Sequence, residues 1–481
     1  MQRTDAQTVP SDVSSSGPTG PVAVVPSTVI LPPGPTEFVH LHSHTLFSTL
    51  DGIASPRQYL EKSVERKWPA AAFTEHGNMA SVPDAYFSAR ELGIKPILGC
   101  EIYYNDDHHR LMDFTARGGK IREYKKSEDP REQEQYQRLI RNRHLTVLCR
   151  NLTGYRNLLH VMRTAWEEGM YRRPRVWFDL LAKHKEGLVI LSGCLSGPTP
   201  FELRRYEHWM NEDQMTGNKK QLAEECLRRG VASFVKFKKT FGDDFYVELQ
   251  MPGVPGDVTV FKKMLELADK TKTKTVLTAD THYMVREDHF IQVVMMAIDQ
   301  DTTVTDPELF HVNSDEQFYK SRAELRHTFM TKEYSAGVPL SEFERACDGT
   351  LEVADKVEKI VFDVDPKFPH IDDAPGLLRR KCAAALVKKG LHKNEQYTKR
   401  LKLELDRIIE KGFADYFIIT QDIVNFSRSH GENNGTGRGS VGGCLVAYLL
   451  GIHSLDSIKW NLSFDRFLSS SRGGIMLKVT M

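Results

Sequence analysis

A chain of 481 residues, 40% of them hydrophobic, is too long for one ordinary domain and can bury real cores, which argues against a disordered protein. Lys plus Arg number 65 against 64 Asp plus Glu, so there is no global basic field of the kind small nucleic-acid binders use, and any DNA contact must come from local patches. The seven Cys are scattered without a CxxC pair and no window of about 18 apolar residues occurs, which speaks against a disulfide framework and a membrane span and for a reducing cytoplasm.

Residues 1–36 mix Ser, Thr, Pro and Gly with only short apolar runs, and read as a disordered leader. From Glu37 the texture changes to seven apolar runs: FVHLH, PAAAFTEHG, IKPILGCEIYY, HLTVLC, GLVILSGC, DFYVELQ and TVLTADTHY. Such continuous aliphatic segments suit buried parallel strands, and the pieces between them, such as SPRQYLEKSVERKW and PGDVTVFKKMLELADKT, have helical spacing. The expected fold class is α/β, a barrel-like domain over residues 37–290. Within it, residues 105–141 are crowded with charge and read as a solvated insertion, with His108 and His109 as solvated residues. Residues 291–375 read as a connecting region that ends in FDVDPKFPHIDDAP, with its three prolines. Residues 376–481 form a second, helix-rich region, in which LKLELDRIIEKG places Leu401, Leu405, Ile408 and Ile409 on one face and stops at Gly412.

The His, Asp, Glu and Cys residues sit at the ends of the apolar runs. His42 and His44 are two apart in HLHSHT, so on an extended strand both rings point to one side, and His40 shares their parity. Asp51 follows in a loop, His76 comes after AAAF, Glu101 closes PILGCE, His144 opens HLTVL and Cys194 follows LVILSG, while Asp280 and His282 repeat the two-residue spacing in TADTH. Side chains at the carboxyl ends of barrel strands converge on one face. A single histidine is more often structural than a ligand. Nine such residues at successive run ends, however, exceed what one ion can use, and imidazoles, carboxylates and a thiolate suit Zn, Mn or Fe. Two or three divalent cations are expected, and ions roughly 3.5–4 Å apart can activate a water and clamp the oxygens of a phosphoryl displacement.

The phrases HLHSHT, STLDG, TEHGN, IKPILGCE, HLTVL, LTGYRNL, GLVILSGCL, FYVELQ and TADTHY resemble the PHP (polymerase and histidinol phosphatase) domain at the head of bacterial DNA polymerase III alpha subunits, the C-family replicative polymerases. That resemblance implies a distorted (β/α)7 barrel whose ligands are His42, His44, Asp51, His76, Glu101, His144, Cys194, Asp280 and His282. His40 falls outside the set, and Glu75 stands where the family more often has Asp. Because no ligand is missing, the resemblance further implies a metal-dependent 3′ to 5′ exonuclease.

In the second region, GENNGTGRGSVGGCLVAYLLGI joins a glycine-rich loop to an apolar helix, so that backbone N–H groups, a helix N-terminus and Arg438 could face one anion. From RLKLELDRIIEKG through TGRGSVGG to NLSFDRFL the chain resembles the start of the same family's palm, a nucleotidyltransferase fold, and FDRFL is expected as a strand. The resemblance implies that Arg438, Gly439 and Ser440 contact the incoming deoxynucleoside triphosphate. The family continues with aspartates that bind magnesium, whereas no Asp or Glu occurs here after Asp465. The expectation is a truncated palm whose catalytic carboxylates are not in this chain, acting in DNA replication on a DNA primer-template with magnesium once a second polypeptide completes it. A stand-alone PHP phosphoesterase or nuclease, and a replisome scaffold steadied by metals, are the competing readings.

Overall fold

The computed structural model describes residues 37–117, 119, 127–210, 217–254, 256–309, 314–331, 333–363, 369–432, 435 and 439–469. The leader, Arg438 and residues 470–481 therefore lie outside the described residues. The chain divides into two compact units, Met1–Val361 and Phe362–Met481.

The first unit is built on one sheet: β1 (Ala70–Phe73), β2 (Lys95–Tyr104), β3 (Arg143–Cys149), β4 (Met170–Tyr171), β5 (Arg173–Val176), β6 (Leu188–Leu191), β7 (Phe245–Gln250) and β8 (Thr275–Thr278). Their order is β4-β5-β2-β3-β6-β7-β8, with β1 also on β2. The FVHLH run closes the curl into a ring. On one side Ala72 N donates to His40 O (3.0 Å) and Thr74 N to Ser43 O (3.0 Å); on the other, Thr281 N donates to His42 O (3.2 Å) and His44 N to Thr281 O (2.7 Å). All seven apolar runs thus take part in the ring, as the expected distorted barrel requires.

Helices cover the outside, and their boundaries follow capping chemistry. Pro56–Glu65 starts at Ser55, whose side chain accepts from Gln58 N while Gln58 answers the Ser55 backbone, a capping box. Along each strand the residues facing the ring interior change from apolar to polar. Ile97, Leu148, Val189, Leu191, Tyr246 and Val276 share one buried cluster with Val39, Leu41, Ala70 and Ala72. Two residues further toward the mouth on their strands stand Thr146, Glu248 and Thr278, joined to one another by hydrogen bonds. The other end is closed by Leu340–Lys356, which adds Val353 and Ala354 to the same cluster, and Lys95 Nζ donates to the carbonyls of Ala354 (2.8 Å) and Val357 (3.1 Å) at its end.

Four features of the first unit differ from the expectations. First, β3 is antiparallel to both β2 and β6. The chain leaves β2 at Tyr104 and returns at Arg143, directly opposite, so the excursion between them reverses direction at a closed neck. Asn105 Nδ2 ties that neck by donating to the carbonyls of Arg138 (3.2 Å) and Arg141 (2.9 Å). Second, the charged excursion is not simply solvated: it contains helices His108–Ala116 and Pro130–Ile140. Leu111, Leu139 and Glu134 are buried, and His108 is buried too, its ring stacked 5.7 Å from Trp177, while His109 is exposed. Third, the connecting region begins later than residue 291. His289–Asp299, Arg322–Thr331 and Leu340–Lys356 are helices within the first unit; the first buries Gln292 and Ala297, the second Phe329, and the third Phe343 and Val353. Fourth, a β4–β5 hairpin extends β2 beyond the end of β1.

The second unit packs Ala374–Lys388, Glu395–Glu410, Ala414–Ser429 and the short Leu445–Leu449 around Leu378, Cys382, Leu401, Leu405, Ile408, Phe417 and Val446. Glu395–Glu410 ends as expected: Gly412 has φ +73°, and Phe413 N reaches back to Ile408 O (3.0 Å). FDRFL is not a strand. Phe464–Arg466 turn as a 3₁₀ helix, because Phe464 and Leu468, four apart, are both buried on one side and Arg407 holds Asp465 (2.5 Å) and the Leu468 carbonyl (3.0 Å).

Candidate metal centre

The mouth of the ring collects the chemistry-bearing side chains. His42 and His44 leave the bend after Leu41, Glu101 lies on β2 in the same facing register as Ile97, and Asp280 and His282 follow β8. His144 is near the start of β3, and because β3 runs in reverse its start lies beside the carboxyl end of β2.

Glu101 is the hub. Its Oε2 lies 2.5 Å from His76 Nδ1 and 3.7 Å from His44 Nε2; its Oε1 lies 3.1 Å from His144 Nδ1 and 3.4 Å from His42 Nε2. Asp280 Oδ1 is 3.3 Å from His44 Nε2 and 3.4 Å from His42 Nε2. Asp51 Oδ2 is 2.9 Å from His76 Nε2 and 3.5 Å from His282 Nε2. Three overlapping groups, His42/His44/Glu101, His76/Glu101/His144 and His44/His76/His282, each bring donor atoms within 4.8 Å of one another. Ligands about 2.0–2.1 Å from a tetrahedral ion are about 3.3 Å apart, and the 3.0 Å between His42 Nε2 and His44 Nε2 is of that order.

A second layer sets the ring orientations. Glu248, fully buried, accepts from His42 Nδ1 (2.6 Å), Thr278 Oγ1 (2.7 Å), Gln250 Nε2 (3.1 Å), Thr146 Oγ1 (3.2 Å) and Gly193 N (3.2 Å). Glu75, also buried, accepts the Ser48 hydroxyl (2.6 Å), so Ser48 Oγ must itself accept from His44 Nδ1 (3.1 Å). His282 Nδ1 donates to the Asp280 carbonyl (2.7 Å). In His42, His44 and His282 the Nδ1 proton is thus assigned outward and Nε2 is left toward the centre, whereas His76 and His144 turn Nδ1 to Glu101.

The electrostatics show what is missing from the protein alone. Burial opposes a charge on His42, yet Glu248, Asp280 and Glu101 hold its pKa well above the usual imidazole value. Burial likewise opposes His76, which Glu101 and Asp51 hold up. His44, enclosed and facing His76 and His282, is pushed down to about 3 and is neutral. Burial would raise Glu101, but His144, His76 and His42 keep it well below the ordinary carboxylate range. Enclosure of the Cys194 sulfur, then Glu101 and Asp280, raise its thiol well above normal. Although imidazole nitrogens stand 2.5–3.4 Å away, Glu101 Oε1 and Oε2, Asp280 Oδ1 and His76 Nδ1 are buried and meet no described group in hydrogen-bond geometry. Orphaned anionic oxygens facing imidazole nitrogens fit divalent cations, which would displace the protons now held on His42 and His76.

Local backbone is bent to make this possible. Asp280 has φ +50°, a left-handed conformation uncommon for a side-chain-bearing residue. Gly193, before Cys194, has φ +83°, and a Cβ there would lie 2.0 Å from the His144 carbonyl oxygen.

Eight of the nine expected ligands are joined by these distances, and Cys194 shares the carboxylates' field. His40 is elsewhere: its Nε2 meets Lys320 O (2.8 Å), its ring stacks on Tyr319, and burial lowers it to about 3. A further acid-and-thiol group, Glu134, Glu202 and Cys226, is neutralised by Arg229 and Arg205 and needs no cation. Glu248, Ser48, Gln292 (which donates to Asp51 Oδ1, 2.9 Å) and Gln317 were missed from sequence. A lone Glu inside the apolar strand FYVELQ was the available signal for the first.

In the second unit Gly439 and Ser440 are exposed. The expected helix N-terminus beyond them offers no free anion cradle, because the buried Glu404 carboxylate accepts from Val446 N (2.9 Å) and is held by Arg400 (2.6 Å). Arg400 also donates to the carbonyls of Gly443 (2.8 Å) and Leu462 (3.1 Å).

Residues 40–252 match the PHP domain, and residues 376–475 match the bacterial DNA polymerase III alpha NTPase domain. The DNA polymerase III subunit alpha of Aquifex aeolicus is 32% identical over 456 residues, 91% of this chain and 35% of that protein. That of Saccharopolyspora erythraea is 31% identical over 450 residues, 90% of this chain and 35% of that protein. The Thermus aquaticus subunit is 31% identical over 499 residues, 91% of this chain and 37% of that protein. The chain spans about a third of the length of these relatives.

Proposed function

We propose that this chain, which belongs to the bacterial DNA polymerase III alpha family, acts in DNA replication and that its cation centre hydrolyses the phosphodiester at the 3′ end of a DNA strand. The observation that carries the hydrolytic reading is the mouth of the ring: three overlapping donor groups whose buried carboxylate oxygens meet no hydrogen bond of good geometry among the described residues. Two or three divalent cations, Zn, Mn or Fe, would lower the pKa of a water and neutralise charge on the phosphoryl oxygens. The chain's own residues do the positioning. Glu248 and Ser48 turn His42 and His44 so that both Nε2 atoms face the centre, and Gln292 holds Asp51 toward His76.

Polymerisation belongs to the same proposal by way of the full-length relatives: Arg438, Gly439 and Ser440 would contact the triphosphate of an incoming deoxynucleotide on a primer-template, in a reaction that uses magnesium. A cytoplasmic location suits seven cysteines that are all free and a structure in which no described helix is long and apolar enough to cross a membrane. The test is release of a mispaired 3′ nucleotide by the purified chain with manganese or zinc, against EDTA and against Asp280→Asn. The expected result is a cation-dependent rate reduced at least about 100-fold by the substitution; equal rates for the two proteins would sink the hydrolase.

A further inference from the structure

A cleft of about 630 Å³ opens from the cation centre, lined by the expected ligands Asp51, His76 and His144 at its inner side and, away from them, by Tyr103, Trp166, Arg172 and Arg173. Its outer wall is made by the β4–β5 hairpin. Arg172 occupies the turn with φ +62°, so this basic residue is held in a left-handed conformation where a glycine would be easier. Trp166 is 54% exposed, a large apolar surface to leave in water, yet it is not loose: its Nε1 donates to the Gly77 carbonyl (3.2 Å). Tyr103 lies parallel to His76 at 6.3 Å, and the Arg173 guanidinium lies over the Tyr103 ring at 5.9 Å. Among the described residues neither Arg172 nor Arg173 is paired with a carboxylate; of the carboxylates, only Asp51 and Asp299 line the cleft.

A pinned, exposed indole and two arginines without anionic partners, one step from a hydrolytic centre, are complementary to a base and its phosphates. Aromatic faces stack any base, and the guanidinium fork fits phosphate oxygens. A cleft of this volume accepts a ligand of one or two nucleotides, not a base pair still stacked in its duplex, so a terminal nucleotide must leave its partner to enter. We propose that Trp166, Arg172 and Arg173 form a binding subsite for an unpaired 3′-terminal nucleotide of DNA, Trp166 stacking the base and the two arginines gripping the phosphates. This rests on the hydrolase reading only for what happens to the nucleotide afterwards, since binding can be measured separately.

The experiment uses the full chain and a ten-nucleotide DNA strand labelled at its 5′ end. Fluorescence anisotropy in EDTA reads binding without hydrolysis, and a manganese-supported assay on the same strand reads kcat and KM. Single-stranded DNA should bind at least about tenfold tighter than a fully paired duplex end. Trp166→Ala should weaken binding about tenfold and raise KM, with Trp166→Phe restoring most of both. Arg172→Ala with Arg173→Ala should flatten the dependence of log affinity on log salt by roughly 1.4, at about 0.7 per phosphate contact on a single strand. A thermal melt of each variant guards against misfolding, which exposed positions should not cause. The proposal is overturned if Trp166→Ala and the arginine pair leave affinity, salt slope and KM unchanged, or if paired ends bind as tightly as unpaired ones. Wild-type protein that binds the strand as described but releases nothing with manganese removes the hydrolase and supports the subsite; protein that cuts with no effect of these substitutions does the reverse.

Discussion

Replacing Glu248 by Gln should separate the metal centre's orientation from its ligands. Glu248 touches none of the inferred cations, but its two oxygens take five donors: His42 Nδ1, Thr278 Oγ1 and Gln250 Nε2 on Oε1, Thr146 Oγ1 and Gly193 N on Oε2. A glutamine retains one acceptor oxygen. With that oxygen kept toward His42, the new NH₂ faces Thr146, whose hydroxyl can rotate to accept, and Gly193 N, which cannot. One buried backbone donor is then orphaned, costing about 1–3 kcal/mol of folding stability. The His42 ring also loses the anion that held its Nδ1 proton, and loss of such an outer carboxylate lowers metal affinity about 10- to 100-fold, or about 1.4–2.8 kcal/mol. Two measurements divide these effects. Chemical unfolding in EDTA should show only the folding cost, and the extra stabilisation on adding saturating zinc should be smaller in the variant by about 1.4–2.8 kcal/mol. A chelator-competition titration gives the same affinity ratio directly. A Glu248→Gln protein that binds zinc within about twofold of the wild type would refute the orienting role.

Gly193→Ala should distort both His144 and Cys194, because the added Cβ meets the His144 carbonyl in a backbone conformation that alanine resists; about 1–3 kcal/mol of strain and a fall in bound metal per chain by elemental analysis are expected, and unchanged metal content would count against the site. Arg400→Ala should destabilise the second unit by about 3 kcal/mol in urea, since it strands the buried Glu404 carboxylate and two carbonyls, and a loss under about 1 kcal/mol would mean that the carboxylate is satisfied by Val446 N and Cys444 Sγ without it. Burial would raise Glu316, but Lys320 and Arg286 hold it down to about 2, whereas burial lowers the Lys320 amine, so the pair stabilises the fold through its carboxylate. A depressed folded pKa gives stability that is complete above the unfolded value of 4.5 and is lost as pH falls toward 2; the stability difference between wild type and Glu316→Gln should therefore shrink across that window, and a constant difference would contradict the pairing.

Much of the ring and of its polar mouth was legible because strand ends and ligand-type residues coincide. HLHSHT, AAAFTEH, ILGCE and TADTH each place a His, Asp or Glu where an aliphatic run stops, and all of them meet. What could not be read depends on partners distant in sequence or on direction. An apolar run looks the same in either sense, so the reversal of β3 was invisible. The hairpin was hidden because MYRRPRV is short and basic, with only its tail buried. The helices of the charged excursion rest on few anchors, one of them a glutamate that is tolerable in the interior only because Arg205 and Arg229 arrive from elsewhere. Likewise nothing near GRGS announces that Glu404, 42 residues before Val446, already occupies the helix start.

The reversed strand has one more effect. Since Tyr104 and Arg143 face each other across the sheet, everything threaded between them hangs from a single closed doorway, and the cost of lengthening such a loop grows only with the logarithm of its size. Material can therefore be added to or trimmed from the excursion while His144, one step inside the doorway, stays at its post beside Glu101. The scaffold thus offers a graft point where an appended module would sit near the mouth of the barrel without being asked to build it.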